Sequence, residues 1–260
     1  ILRLGLGTIQ RIKYSFKFLG EDMSDIILPV YLKNEELLQL TQGAIATLTG
    51  RLIIIDNGSN LGENYLREKA LVYIRNGENM GYPKAVNQGF KEVISDLVAI
   101  CNNDIRVMQN WENVAKDIFS EDPKIGSVHF RMIDYDEPMQ QGYNTWIVGK
   151  ERWCTSSFFV IRKEAIQKYD ENFGLGGYDD YDYWKRFRDK GWKTAYTTKS
   201  CYQHKHSSTQ LALDQTERQE RDKRNREYFK GKHGEYPDVL FAKTYPEQMQ
   251  ENYYEFFKQL

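Results

Sequence analysis

Apolar residues along this chain follow two alternating periods. Short continuous apolar runs, such as DIILPVYL from Asp25 and RLIIID from Arg51, are typical of buried strands, and between them apolar residues recur at helical spacing. This alternation predicts an α/β fold with a mostly parallel sheet that helices cover on both faces. The elements predicted up to residue 104 are strands in DIILPVYL, RLIIID, ALVYIRN and DLVAICNND and helices over about 35–48, 61–69 and 83–93.

The second half of the chain is less regular. We expect strands in KIGSVHFRMI, TSSFFVIR and WKTAYTTKSCY and a helix in DDYDYWKRFRDKG. Residues 213–232 predict a long charged helix without an apolar stripe, which should lie on the surface and dock through Tyr228 and Phe229. After Pro246 apolar residues return at helical spacing, and this tail is predicted to dock onto the domain or onto a second subunit.

These patterns divide the chain into three parts. Residues 1–24 are predicted to be an N-terminal extension, either native or left over from expression, because Met23 stands just before the first buried strand. Residues 25–210 form one predicted domain with a division near residue 105, and residues 211–260 form a helical extension. The length of 260 residues suits one large α/β domain with an appended tail.

Composition narrows the expected partners and compartment. The 36 basic and 37 acidic residues give a net charge of -1, which offers no general attraction for nucleic acid or an anionic membrane. Cys101, Cys154 and Cys201 form no CxxC pattern and are expected to be reduced, as in the cytoplasm. No apolar run reaches the roughly 18 residues of a membrane span, and no secretion signal is recognisable, so a soluble protein is predicted.

Three polar residues follow directly on predicted strands and mark a candidate site. They are Tyr31, Asp56 and Asp104. In a sheet of this kind ligands bind beyond the carboxyl ends of the strands, which is where these side chains would lie. Each residue taken alone is explained more simply by a turn that ends a strand.

Six short segments carry a more specific signal. In chain order they are LPVY, IIIDNGSN, RNGENMGYPKAVNQGF, VAICNND, GGYDDYDYWKRFRDKGWK and CYQHKHSST. Together they resemble the family 2 glycosyltransferases, which have the GT-A fold. The resemblance extends from Asp25 to about Gly234, where NREYFKGKHG is similar to the family's closing segment. Leu32 and Lys33 are two residues more than the family usually has before Asn34.

The resemblance implies that residues 25–105 bind a nucleotide-sugar donor, with UDP or dTDP as the nucleotide, and that residues 106–210 bind the acceptor. It assigns Asp56 to the nucleoside, because a carboxylate can accept hydrogen bonds from a base or a ribose. Gly81 would let the chain turn into a helix whose N-terminal N–H groups, together with Lys84, face the diphosphate. The implied donor-binding residues are Pro29, Tyr31, Asp56, Asn79, Gly81, Lys84, Asn102 and Asn103.

The segment VAICNND is similar to the family's metal-binding Asp-x-Asp, with Asn102 in place of the first Asp. A divalent metal there would neutralise the charge that develops on a departing diphosphate. The resemblance implies Asp104 and His204 as metal ligands, with His206 as the alternative to His204. An imidazole beside oxygen ligands favours Mn²⁺, with Mg²⁺ as a substitute.

The segment GGYDDYDYWKRFRDKGWK is similar to the family's Glu-Asp-x-Asp motif, with Asp179 at the Glu position. Glycosyl transfer needs a carboxylate that takes the proton of the attacking hydroxyl. The resemblance implies Asp180 as this base, with Asp179 as the alternative. Asp182 and Arg186 are expected to form a helical i,i+4 pair worth only about 0.2–0.5 kcal/mol.

The predicted function is the inverting transfer of a sugar from a UDP- or dTDP-sugar to a glycan or another hydroxyl acceptor, with a divalent metal on the diphosphate. A non-catalytic carbohydrate-binding or nucleotide-sugar-binding module and a nucleotidyltransferase are the alternatives, although LPVYLKNEE lacks the glycine-rich basic loop of the latter.

No nucleic acid partner is expected, despite the basic residues within 218–232. Residues 133–145 and the region around Trp153 should select the acceptor. A homo-oligomer formed through the C-terminal helix is one option.

Overall fold

The fold is described from a computed structural model. The structure describes residues 9–10, 23–148, 156–205 and 215–237. The region around Trp153, residue His206 and the predicted tail after Pro246 lie outside the described residues, as does most of the predicted N-terminal extension.

Strands and helices alternate through the described residues as the sequence predicts. The strands are β1 (Ile9–Gln10), β2 (Asp25–Val30), β3 (Arg51–Asp56), β4 (Val72–Arg75), β5 (Leu97–Cys101), β6 (Ile105–Val107), β7 (Ile125–Asp134), β8 (Thr145–Val148), β9 (Phe158–Arg162) and β10 (Lys193–His204). The helices are α1 (Glu35–Thr47), α2 (Glu63–Lys69), α3 (Tyr82–Phe90), α4 (Trp111–Glu121), α5 (Asp179–Asp189) and α6 (Gln215–His233). Each predicted element that falls on these residues is present, with its ends moved by a few positions.

Four of these strands and helices are additional to the prediction: β1, β6, β8 and α4. The helix α4 has a readable signal, because its buried residues recur at the spacing of one helical face. They are Trp111, Val114, Ala115, Ile118 and Phe119. The strands β6 and β8 have three and four residues, which is too short for a periodic pattern to distinguish them from turns.

The strands form one mixed sheet in the order β1-β4-β3-β2-β5-β9-β7-β10-β6, and β8 pairs with β10. The α/β class is confirmed, but the sheet is parallel only in part. Strands β4, β3, β2 and β5 are parallel neighbours, whereas β9 is antiparallel to both β5 and β7. Parallel neighbours need a long crossover, usually a helix, and no described residue between β7 and β9 is helical.

The core has two layers, one on each face of the sheet. Alternate residues of β2 separate between them, with Ile26 and Leu28 in the layer under α1 and α4 and Ile27 in the layer under α3 and α5. Asn34 caps the start of helix α1, where its side-chain Oδ1 accepts a hydrogen bond of 2.9 Å from the backbone N–H of Leu37. The two layers hold the carboxyl ends of β2, β3 and β5 in place.

Helix α6 docks differently from the prediction. Phe229 is buried as expected, but Tyr228 is 37% exposed and touches the domain through its hydroxyl and one ring edge. The other contacts are polar, because Arg221 and Asn225 are buried against the domain. The apolar pattern could not reveal this, since the docking face of α6 consists mainly of hydrogen-bonding groups.

The first turn of α3 lies against the backbone of a distant loop. Gly81 has φ +87° and ψ 157°, a region that is essentially restricted to glycine. A Cβ atom there would overlap the carbonyl oxygen of Gly174 and lie 2.9 Å from Leu175 Cα. Only glycine at residue 81 permits this approach between two backbone segments.

We therefore expect Gly81→Ala to lower the free energy of unfolding by about 2–4 kcal/mol, since both the backbone conformation and the contact with Gly174 would be disturbed. Gly77→Ala is the matched control in the same connection, because no atom lies within 4 Å of its added Cβ. Urea denaturation should show a change within about 0.5 kcal/mol for the control. Equal stability of the two variants would show that the close approach is not required.

Candidate active site

The carboxyl ends of the parallel strands meet at one edge of the sheet, as predicted. In the register of the sheet Val30 lies beside Asp56, and Asp56 lies beside Arg75. Pro29 belongs to the end of β2, and Tyr31 follows it with the Lys33 Nζ 4.4 Å from the centre of its ring. Side chains from β2, β3 and β4 are thus brought together at this edge.

Asp56 is fully buried and holds several donors together. Its Oδ1 accepts a hydrogen bond of 2.8 Å from the backbone N–H of Ser59, and its Oδ2 accepts one of 2.6 Å from the Tyr73 hydroxyl. The guanidinium of Arg75 also binds Oδ2. The carboxylate and its arginine form one unit, so a nucleoside at this edge would meet Arg75 as well as Asp56. Sequence reasoning missed Arg75, although it follows an apolar run just as Asp56 does.

Asn79 and Gly81 shape the loop that leads into α3. The Asn79 Oδ1 accepts hydrogen bonds of 3.0 Å from the Asn57 side chain and from the backbone N–H of Gly81. Lys84 lies half-buried in the first turns of α3. The structure therefore gives Asn79 a role within the loop itself, and it places Lys84 on the helix that follows.

Asn102 and Asn103 follow β5 and face different neighbours. The backbone N–H of Asn102 donates to the Ser157 carbonyl at 2.8 Å, while the side-chain amide of Asn103 donates to the Thr41 hydroxyl of α1 at 3.0 Å. Asn103 is buried, so its amide fastens the strand end to α1. Asn102 is half-buried.

Asp104 and His204, a full 100 residues apart, lie side by side. The His204 Nε2 is 3.2 Å from the Asp104 Oδ1, and both side chains are less than a tenth exposed. Strand β6 brings them together, because it starts directly after Asp104 and pairs antiparallel with the end of β10. Among the described residues no hydrogen-bond donor satisfies the Asp104 Oδ1. A buried carboxylate oxygen left without a donor beside an imidazole is a fitting start for a cation site.

This pair alone is not a complete metal site. No group of three His, Cys, Asp or Glu side chains in the described ranges has the geometry to hold a metal ion. The alternative ligand His206 is outside those ranges. Two protein ligands would leave the remaining positions to the oxygen atoms of a bound phosphate or to water.

Asp179 and Asp180 open α5 after a loop of unusual conformation. Gly174, Gly176, Gly177 and Tyr178 all have positive φ, and Tyr178, at 64°, is the one described residue other than glycine that does so. The Asp179 Oδ1 accepts from the backbone N–H of Gly177 at 2.6 Å. Such a backbone is costly and persists only where its surroundings fix it.

The two neighbouring carboxyl groups share a buried environment. Burial raises the pKa of Asp179, and backbone N–H groups and Arg221 oppose this only in part. Burial also raises the pKa of Asp180, and the charge of Asp179 raises it further. Asp179 is buried, whereas Asp180 is half-buried and accepts a hydrogen bond from the backbone N–H of Tyr181 at 2.9 Å. Raised carboxyl pKa values of this kind are typical of general acids and bases.

The acid pair and the start of α3 lie against each other. The Tyr82 hydroxyl donates to the Ser156 carbonyl at 3.3 Å, and the Trp184 indole N–H of α5 donates to the Ser156 Oγ at 3.0 Å. Burial raises the pKa of the Tyr82 hydroxyl, and the charges of Asp179 and Asp180 raise it further. The loop that leads into α3 and the acid pair therefore border one site.

Asp182 belongs to a network larger than the expected helical pair. Its Oδ2 accepts from Arg186 at 2.7 Å, and its Oδ1 binds Lys232 Nζ at 2.6 Å and His233 Nε2 at 2.8 Å. Burial alone would raise the pKa of Asp182, but the hydrogen bonds from His233, Arg186 and Lys232 outweigh burial and lower it. The expected i,i+4 pair is present, and the side chain is in addition fully buried and bridges α5 to α6, so we expect it to contribute more than an exposed helical pair.

Comparison with known proteins shows the family and the fold of this chain. The family model described as glycosyl transferase family 2 matches residues 25–185, so the chain belongs to that family. A search among curated protein sequences gave no match. Solved structures with the same fold include GalNAc-T7 with UDP, GalNAc and Mn²⁺, with 14% identity and a TM-score of 0.56 over 70% of this chain and 43% of that one.

Two further structures share the fold at low identity. TarS residues 1–349 of S. aureus have 12% identity and a TM-score of 0.54 over 69% of this chain and 59% of that chain. The mannosyltransferase PcManGT from Pyrobaculum calidifontis, in complex with GDP-Man and Mn²⁺, has 14% identity and a TM-score of 0.51 over 68% of this chain and 56% of that one. This chain thus spans less than two thirds of each of these three proteins. The GT-A fold is confirmed.

The network around Asp182 predicts a large effect of a small change. Asp182→Asn should lower the free energy of unfolding by about 3–5 kcal/mol, because Arg186, Lys232 and His233 would lose their shared counter-charge in a buried setting. Asp189→Asn is the matched control, since Asp189 pairs with Lys185 on the same helix but is 58% exposed.

Denaturant titration of both variants tests this difference. The control should change by no more than about 1 kcal/mol. A loss of similar size in both variants would reduce Asp182 to an ordinary helical pair.

Proposed function

We propose that this glycosyltransferase moves a sugar from a UDP- or dTDP-sugar to an acceptor hydroxyl in one inverting displacement, with Mn²⁺ or Mg²⁺ on the diphosphate. One observation carries the proposal. A buried carboxylate oxygen of Asp104 lacks a donor among the described residues and faces His204, at the sheet edge that also holds Asp56 and Arg75.

The donor would occupy the edge formed by β2, β3 and β4. Asp56 and Arg75 would receive the nucleoside, and Pro29 and Tyr31 line the end of the neighbouring strand. The N–H groups that open α3 would receive the diphosphate, because a helix N-terminus favours an anion. Two structures with this fold are of complexes that contain a nucleotide, UDP in one and GDP-Man in the other, together with Mn²⁺.

Asp104 and His204 would hold the metal. When bound, the ion would neutralise the negative charge that develops on the leaving diphosphate. Lys84, on the helix that begins at the same edge, would add a positive charge near that group. Asn102 is half-buried directly after β5 and would complete the polar lining of this sheet edge together with Asn103.

Asp180 is the proposed base. The acceptor hydroxyl oxygen would form the new bond to the anomeric carbon while its proton passes to Asp180, and the electron pair of the broken bond would leave with the diphosphate. Burial and the charge of Asp179 raise the pKa of Asp180, which strengthens it as a base. Asp179 is the alternative, but it is more buried and its Oδ1 is already bound to Gly177.

The wider assignments remain proposals of the same kind. Residues 25–105 would form the nucleotide-sugar half and residues 106–210 the acceptor half, with a glycan or another hydroxyl compound as acceptor. Within the described residues no helix is long and apolar enough to cross a membrane. Cys101 and Cys201 are buried free thiols, which supports a reducing compartment such as the cytoplasm. Membership of family 2 favours glycosyl transfer over nucleotidyl transfer and over binding alone.

The metal proposal predicts that UDP and Mn²⁺ bind together. Wild-type affinity for UDP, measured by calorimetry, should fall at least about tenfold when EDTA replaces Mn²⁺, because the diphosphate loses its bridge. Asp104→Ala should bind UDP with this reduced affinity whether Mn²⁺ or EDTA is present. The exposed Asp189→Asn serves as the control and should behave as wild type. Metal-independent binding by the wild type would contradict this part of the proposal.

The base proposal predicts a loss of turnover without a loss of donor binding. In a screen of nucleotide sugars with Mn²⁺, Asp180→Asn should reduce kcat for transfer, or for slow donor hydrolysis, by about 10² to 10⁴ because it removes the proton acceptor. Its donor KM should stay within about twofold, since the nucleoside and diphosphate contacts remain.

The pH profile provides a second measurement. A base must be deprotonated, so kcat should rise with pH, and the acidic limb should lie above the ordinary aspartate value of about 3.9. Asp179→Asn should move the limb to lower pH, because it removes the charge that raises the pKa of Asp180. Wild-type turnover in Asp180→Asn, or collapse only in Asp179→Asn, would place the base on the other carboxylate.

A further inference from the structure

A buried amide of α6 is bound to the loop that precedes the acid pair. Asn225 is fully buried, and its Nδ2 lies 2.9 Å from the Phe173 carbonyl oxygen, 2.9 Å from that of Gly176 and 3.1 Å from that of Gly177. An amide has two N–H donors, so the three carbonyl groups share them. These carbonyl groups belong to the residues that lead directly into Asp179.

A second attachment lies on the other side of the acid pair. Asp182, two residues after Asp180, is bound by Lys232 and His233 at the end of α6. Helix α6 therefore binds the chain twice, once at residues 173–177 before α5 and once in the first turn of α5. Asp179 and Asp180 lie between the two attachments.

The middle of α6 also lies in close contact with residues 174–177 of this loop. A Cβ atom at Gly177 would lie 3.1 Å from the Asp222 Oδ1, and one at Gly174 would lie 3.3 Å from the Arg224 Nη2. The positive φ values of the loop include the non-glycine residue Tyr178. A backbone of this kind relaxes unless neighbouring groups hold it, and α6 supplies such groups.

We infer that Asn225 is a positioning residue that fixes the loop carrying the acid pair, so that α6 is part of the catalytic unit rather than an appended extension. The inference rests on the proposed function. Residue 225 lies beyond residues 25–185, the part that the family model matches. Because transfer depends on geometry, a displacement of about 1 Å at the base can cost as much as 10²-fold in rate.

The test compares two substitutions on the same helix. Asn225→Leu removes both N–H donors, so the Gly176 and Gly177 carbonyl groups lose the amide and the Phe173 carbonyl keeps only the Gly176 N–H. Tyr228→Phe removes the hydroxyl that binds Asp170 and Asn172, which lie before the loop, and leaves Asn225 in place. With the nucleotide sugar that the wild type turns over in Mn²⁺, kcat of Asn225→Leu should fall about 10- to 100-fold with a donor KM within about twofold of wild type. Tyr228→Phe should keep wild-type kcat.

Amide hydrogen exchange reports the loop directly. Peptides that cover residues 173–182 should exchange faster in Asn225→Leu, while those from β2 and β3 keep wild-type protection. Asn225→Ser retains one donor and should give an intermediate kcat. This milder variant carries the test if Asn225→Leu does not fold.

The outcomes separate the inference from the proposed function. Wild-type kcat in the Asn225 variants would overturn the positioning role, as would a parallel loss of kcat and UDP affinity in both Asn225→Leu and Tyr228→Phe. If Asp180→Asn is inactive while Asn225→Leu is fully active, only the inference fails. Full turnover by Asp180→Asn would instead count against the proposed base.

Discussion

The site depends on the close backbone approach between Gly81 and Gly174. A side chain at residue 81 would overlap the Gly174 carbonyl, so the two loops can touch only through glycine. One loop opens α3, whose N–H groups are proposed to face the diphosphate. The other leads through three more residues of positive φ to Asp179 and Asp180. This contact places the N-terminal end of α3 beside the carboxylates that open α5.

The buried carboxylates of this protein fall into two groups. Asp25, Asp56 and Asp182 are each paired with an arginine, and each ties separate segments together. Asp104 and Asp179, together with the half-buried Asp180, have no Lys or Arg ion pair among the described residues, and all three lie at the proposed site. An unpaired buried carboxylate is costly to the fold. The first group is neutralised by arginine within the fold, whereas the second group is the one proposed to meet a cation or a proton.

Two buried asparagine side chains hold the irregular segment that precedes α5. Asn87 of α3 binds the backbone of Tyr169 in both directions, with its Nδ2 donating to the carbonyl and its Oδ1 accepting from the N–H. Asn225 of α6 donates to the carbonyl groups of Phe173 and Gly176, which come later in the same segment. The irregular chain from Tyr169 to Gly177 is therefore fastened to two helices by buried amides. A loop without a regular hydrogen-bond ladder needs such partners to satisfy its backbone.

The sequence by itself determined the alternation of strands and helices, the strand ends that carry Asp56 and Asp104, and the family resemblance that named His204 and the acid pair. These features are local, because apolar period and turn residues act within a few positions. Only the tertiary structure decided the antiparallel entry of β9, the meeting of Asp104 with His204 through β6, the pairing of Asp56 with Arg75, and the burial of Asp182 under α6. Each of these features depends on register and docking between segments far apart in the chain. A docking face made of hydrogen-bonding groups, such as that of α6, has no apolar period from which it could be predicted.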